Sequence, residues 1–176
     1  MRIIGIDPGS RATGYGIVDG DDETLVTTGV IRLDSDDDHP DRLKQIYDRL
    51  AALIDEYDPG EFSIEMPVYG KNPQSMLKLG RAQAAAMMAG LNAGLPVSQY
   101  TPKEIKKSVT GNGNASKDQV RFMIKSILNL DEAPTHDAAD ALAAALCHNN
   151  RDAHGEGESY TGWASFVESN PDRISD

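Results

Sequence analysis

Residues 1–33 hold three strand-like segments in succession, separated by turns too short to contain a helix. Met1–Asp7 is an almost unbroken apolar run, Thr13–Asp19 (TGYGIVD) follows the turn residues Pro8-Gly9, and Thr24–Leu33 follows the acidic turn DGDDE. Strands joined this closely must pair antiparallel, as a meander. Everything after them therefore has to build onto an antiparallel ribbon. One residue in that ribbon is out of place. Asp7 stands where the strand pattern calls for another aliphatic side chain, and an uncompensated buried carboxylate is costly.

Beyond the ribbon the pattern alternates. Leu43, Ile46, Tyr47, Leu50, Leu53, Ile54 and Tyr57 recur at helical spacing behind Pro40. FSIE is a short strand ending at Glu65, Pro73 to about Ala93 is an Ala- and Met-rich helix, and LPVSQY is another short strand. TPKE (101–104) and SKDQ (116–119) are capping boxes that start two helices on either side of the glycine-rich TGNGNA. A last helix starts near Thr135 and carries DAADALAAALCH. The expected fold is α/β: a mixed five-stranded sheet, with a three-stranded antiparallel meander plus parallel strands, flanked by helices. Residues 1–149 form the expected domain. Residues 150–176 read as an acidic, flexible C-terminal tail, with a short helix around Trp163–Val167.

No run of eighteen apolar residues exists, so no membrane span and no membrane partner are expected. MRIIGID lacks the basic segment and long apolar stretch of a signal peptide. The single cysteine, Cys147, cannot form an internal disulfide and lies on an apolar helix face, which suits a reducing cytoplasm and a packing role.

The net charge of -11 is unevenly spread. Residues 1–70 carry a net -10 and residues 130–176 a net -8, whereas residues 71–129 carry a net +7. That middle segment holds Lys71, Lys78, Arg81, Lys103, Lys106, Lys107, Lys117, Arg121 and Lys125 against only Glu104 and Asp118. A basic segment inside an acidic chain is the footprint of a polyanion-binding face.

Asp7 and Glu65 close two strands in matching positions, and Asp137 and Asp140 project from one helical face. Each alone has an ordinary reading: an Asx turn at Asp7, a strand end at Glu65, a helix-dipole partner at Asp137. Asp140, inside an Ala/Leu run, resists one. Together they would repel unless a cation is bound, and oxygen-only ligands select hard ions such as Mg2+ or Mn2+. Such a cluster suits phosphoryl transfer, with two ions activating the attacking water and stabilising the leaving oxygen. No Cys/His spacing suggests zinc.

Taken in order, IGIDPGSRATGYGIV, the strand ending at Glu65, KKSVTGNGNASKDQV and HDAADALAAALCH resemble RuvC-type Holliday junction resolvases over about Met1–His148. The resemblance implies an RNase H-like fold and an endodeoxyribonuclease that resolves four-way DNA junctions by paired symmetric nicks. It places the four metal-binding catalytic carboxylates on Asp7, Glu65, Asp137 and Asp140, with two Mg2+ per active site and Mn2+ as a substitute. Its two functional lysines fall on Lys106 and Lys117, beside the TGNGNA loop. It implies a homodimer and a branch-migration motor as partner. Tyr69, Lys71, Lys107 and Arg121 are further candidate DNA contacts. The family's junction-stacking aromatic would stand three positions after the Glu, where this chain has Val68, so Tyr69 is the candidate replacement. His136, beside Asp137, is an alternative ligand in some relatives. The strong acidity and the tail depart from the usual family member. Competing classes are a related nuclease acting on other branched DNA or structured RNA, a duplicated-domain ATPase or sugar kinase, for which the chain is too short, and a non-catalytic binding module, which the four acids argue against.

Overall fold

A computed structural model of the chain describes residues 1–34, 36–67 and 72–154. Strands β1 (Arg2–Asp7), β2 (Ala12–Asp19) and β3 (Thr24–Arg32) form the meander; α1 (His39–Tyr57) leads to β4 (Glu61–Glu65), and α2 (Pro73–Asn92) to β5 (Val97–Tyr100). Three helices follow: α3 (Pro102–Thr110), α4 (Lys117–Ile127) and α5 (His136–His154). The sheet order is β3-β2-β1-β4-β5. β1 pairs antiparallel with β2 and parallel with β4, which pairs parallel with β5. The expected mixed sheet is therefore present, with β1 at its centre.

The elements start and stop for local reasons. Both capping boxes form: Thr101 with Glu104, and Ser116 with Gln119, each with reciprocal side-chain and backbone bonds. Asn72 caps α2 by accepting from the amides of Gln74 and Ser75, with Pro73 in the first turn. Gly111, at φ 72°, ends α3 in the left-handed conformation that a side chain would strain.

The sheet separates two cores. Ile4, Ile6, Ile17, Phe62 and Ile64 point toward α1 and α2, where Ile46, Leu50, Ile54, Ala82 and Ala86 meet them. On the opposite face Ile3 and Val18 meet α3, α4 and α5 through Val109, Ile124, Leu142 and Leu146. Cys147 is buried there, and burial pushes its thiol up to about 11, as a packing role requires.

α5 lies on the second face at close range, because the strands offer it glycine. A Cβ on Gly5 would stand 2.2 Å from the Ala141 carbonyl oxygen, and one on Gly16 would stand 2.5 Å from Leu142 Cδ2. Gly5 and Gly16 are register partners, so the bare patch is continuous across β1 and β2. Ser63, also on this face, donates 2.7 Å to the Ala144 carbonyl. Tyr100 and His148 share a 2.7 Å bond, and His148 Nε2 lies 3.5 Å from Glu61, tying the later turns of α5 to β4 and β5. α5 stays helical to His154, five residues past the expected domain boundary at 149. The expected helix at Trp163–Val167, and the tail from residue 155, lie outside the described residues. Among the described residues no helix is long and apolar enough to cross a membrane.

Candidate active site

The alternation that sends Ile4 and Ile6 to one face sends Gly5 and Asp7 to the other. β4 behaves likewise, with Phe62 and Ile64 on one face and Ser63 and Glu65 on the α5 face. The parallel register pairs Ile6 with Ile64, which sets Asp7 and Glu65 side by side at the ends of adjacent strands. Opposite Asp7 on β2 stands Gly14. A Cβ there would lie 2.0 Å from the Asp137 carbonyl oxygen, so only glycine lets the first turn of α5 settle beside Asp7. Asp140 follows one turn later. From Ala138 through His148 it is the only residue that is not buried.

The turn after Asp7 is held by Thr13, which is fully buried. Its Oγ1 accepts from the Gly9 amide at 3.3 Å and lies 3.2 Å from the Gly9 carbonyl.

Electrostatics show that the acids act on one another. Burial, then the negative charges of Glu65 and Asp140, push Asp7 up to about 8, with Asp137 adding in the same sense and Lys117 opposing. Burial, then Asp140, raises Glu65 to about 7, against the pull of Lys117 and Lys106. Lys117 Nζ donates to Asp140 Oδ2 at 2.9 Å. That bond, followed by the charges of Asp140, Asp7 and Asp137, raises the Lys117 ammonium above its usual range despite some desolvation.

The two lysines reach this cluster from the two helices flanking the TGNGNA loop. The loop is braced by its own bonds: Thr110 Oγ1 donates 2.7 Å to the Lys106 carbonyl, and Asn112 Oδ1 accepts from the Asn114 amide. Ala115 is buried beneath it.

The donor chemistry fits a hard divalent cation: four carboxylates and no sulfur. As they stand, no three His, Cys, Asp or Glu among the described residues are arranged to hold a metal ion. Lys117 compensates Asp140, and a retained proton compensates Asp7. Coordination would replace both and draw the carboxylates inward.

Other expected contacts divide. His136 is half-exposed and faces Asp118, 3.8 Å from its Oδ1, and is not among the groups perturbing Asp7 or Glu65. Lys107 is exposed on α3. Arg121, expected at the DNA interface, is bonded to the backbone before α5. Its Nε donates to the Pro134 carbonyl at 2.5 Å and its Nη2 to the Ala133 carbonyl at 3.3 Å. These two bonds brace the segment leading into α5. Val68, Tyr69 and Lys71 lie outside the described residues. Sequence reasoning missed the positioning glycines Gly5, Gly14 and Gly16, whose only signal was their period of two within strand patterns on one face.

Known proteins match this chain over most of its length. The family model described as "Crossover junction endodeoxyribonuclease RuvC" matches residues 3–148. A protein of that name from Salinibacter ruber is 71% identical over 179 residues, covering 100% of both chains. One from Christiangramia forsetii is 48% identical, covering 98% of this chain and 92% of its own. Among solved structures, T. thermophilus RuvC in complex with Holliday junction substrate superposes with a TM-score of 0.79 at 30% identity, covering 88% of this chain and 96% of that one.

Proposed function

The chain belongs to the RuvC family of crossover junction endodeoxyribonucleases, and from that membership we propose that Asp7, Glu65, Asp137 and Asp140 form its metal-binding nuclease centre, with Lys106 and Lys117 as its catalytic cations. The chain is a metal-dependent nuclease that resolves Holliday junctions. The finer proposal is that the metal is Mg2+, two ions per site, with Mn2+ as a substitute. A homodimer would present two such centres to a four-way junction and nick it symmetrically, because a two-fold protein suits a two-fold substrate. A branch-migration motor is the proposed further partner, and the cytoplasm the proposed setting.

The observation that supports the reading best is that burial, and after it the charges of Glu65, Asp140 and Asp137, push Asp7 up to about 8. Carboxylates from β1, β4 and α5 are buried and close enough to feel one another, and together burial and that repulsion hold a proton that a cation would displace. When bound, divalent cations supply an activated water and charge neutralisation at the scissile phosphate.

The chain's own residues do the rest. Asp7 and Glu65 sit on adjacent strands, whose register fixes their spacing. Lys117, now on Asp140, can exchange that carboxylate for a phosphate oxygen and offset the charge that grows there. Lys106 acts on Glu65 from the other side of the braced loop.

A labelled synthetic four-way junction incubated with the full chain and Mg2+ tests the proposal. Paired nicks at symmetry-related positions, absent in chelator or with calcium alone, are expected. Nicking in excess chelator, or cleavage of structured RNA in preference to the junction, would contradict it.

A further inference from the structure

Beside the carboxylates is a cationic cleft with no part in the centre described above. A cavity of about 370 Å³ opens where the β1–β2 turn meets the first turns of α1 and α2, lined by Ser10, Arg11, Arg42, Ser75 and Lys78. His39, in the first turn of α1, feels the charges of Arg42 and Lys78 from this lining, and Arg81 adds its charge from the next turn of α2. Among the described residues none of Arg11, Arg42, Lys78 and Arg81 forms an ion pair.

Several donors there are buried and unused. Arg42 Nη1 leans on the Ser10 carbonyl at 3.4 Å, but its Nε has no hydrogen-bond partner, and neither ring nitrogen of His39 has one. Buried donors without partners are rare in folded proteins and ask for an explanation. The cations also crowd one another: burial, then the positive charges of Arg81, Arg42 and Lys78, hold the His39 pKa below its usual range. Two helix N-termini add partial positive charge, since His39 and Arg42 belong to the start of α1 and Ser75 to the start of α2. An anion with several acceptor oxygens satisfies the donors and relieves the repulsion together. Two serine hydroxyls and a planar guanidinium suit a tetrahedral phosphate.

The location narrows the source of that phosphate. Ser10 follows Asp7 by three residues, so their Cα atoms are no more than about 11 Å apart. That span is about one or two nucleotides along a strand. We propose that this cleft is a second phosphate seat, holding a backbone phosphodiester of the nicked DNA strand next to the one cut at Asp7. The proposal rests on the nuclease reading above. It joins Lys78 and Arg81 of the basic middle segment to Arg11 and Arg42, which come from the acidic first segment and which the charge distribution did not single out.

The test uses junctions carrying one uncharged methylphosphonate linkage, moved stepwise along the nicked strand, and the full chain in calcium so that binding is read without cutting. Apart from the cut position, one linkage about one or two nucleotides away should weaken binding by the parent roughly tenfold. The doubly substituted R42Q/K78Q chain should bind the unmodified junction roughly tenfold more weakly, with a salt dependence shallower by about one to two counterions. It should be insensitive to that same linkage. A flat scan in the parent, or identical scans and salt slopes in parent and variant, overturns the seat. So does a flat scan in which inorganic phosphate alone shifts the His39 ring resonances, because the occupant is then a free anion. Nicking of the unmodified junction in Mg2+ is scored alongside. A flat scan in the parent with its nicking intact overturns the seat alone, whereas absence of nicking by the parent overturns the nuclease reading and the seat with it.

Discussion

The two faces of the sheet are built from the same strands by opposite rules. Toward α1 and α2, β1 presents Ile4 and Ile6, α1 answers with Ile46, Leu50 and Ile54, and α2 adds Ala82 and Ala86; between the strands and α1 that face is held by large apolar side chains. Toward α5, β1 presents Ile3, Gly5 and Asp7, and α5 answers with alanines from 138 to 145 interrupted by Asp140 and Leu142. The first face gains its stability from the area it buries. The second gives up side-chain volume to bring a helix backbone against strand backbone. That close approach carries Asp137 and Asp140 to Asp7 and Glu65. One face anchors the sheet, and the other trades bulk for the positioning of charge.

The largest test of this contrast places the same added bulk where only one face has room. Gly5→Val puts a side chain into the Ala141 backbone and should cost upward of about 4 kcal/mol or prevent folding, read by denaturant unfolding. If Gly5→Val were as stable as the parent, the close seating of α5 would be wrong.

Next comes Lys117→Ala, which removes the cation bound to Asp140. Single-turnover nicking should slow on the order of a hundredfold or more, while junction affinity changes little, since one cation among many is lost. Equal single-turnover rates would remove Lys117 from the reaction.

Protonation sharpens the comparison further. A folded-state pKa raised to about 8 at Asp7 and about 7 at Glu65 means the folded chain keeps protons that the unfolded chain releases. Their stabilising contribution is complete below the ordinary carboxylate range and is lost as pH rises through those values. In chelator, the parent should therefore lose stability between about pH 5 and pH 8. Asp7→Asn should remove most of that slope and be the more stable protein at pH 8, by roughly 3 kcal/mol. A parent whose melting temperature is flat or rises over that range would contradict the crowding of acids. The smallest effect belongs to the other face: Ile4→Val should cost about 1 kcal/mol and leave the pH profile unchanged.

Much of the first face was legible in the sequence, because periodicity reports large apolar residues directly. The stripe in α1, the strand ends at Asp7 and Glu65 and both capping boxes follow from local patterns, and so do the element order and the mixed sheet. The second face was harder to read. A glycine in a strand carries no mark of the helix that will rest on it, so Gly5, Gly14 and Gly16 passed as ordinary members of their strands. Arg121 counted as one more cation in a basic stretch. Only tertiary packing shows it bound to the carbonyls of Ala133 and Pro134. The cleft of Arg11, Arg42 and Lys78 draws on three distant elements, and a charge count taken segment by segment dilutes two of those cations among acids. The family resemblance named the four acids and two lysines, but it could not say how glycine brings the α5 acids to them.

Convergence of acids from β1, β4 and α5 on shared divalent cations is most directly measured by calorimetric titration of Mn2+ into the metal-free full chain, parent against Asp7→Asn, near pH 8. The parent should bind Mn2+ saturably with release of protons, and Asp7→Asn should bind at least about tenfold more weakly. Equal affinity and stoichiometry in the two proteins would contradict a metal centre built around Asp7.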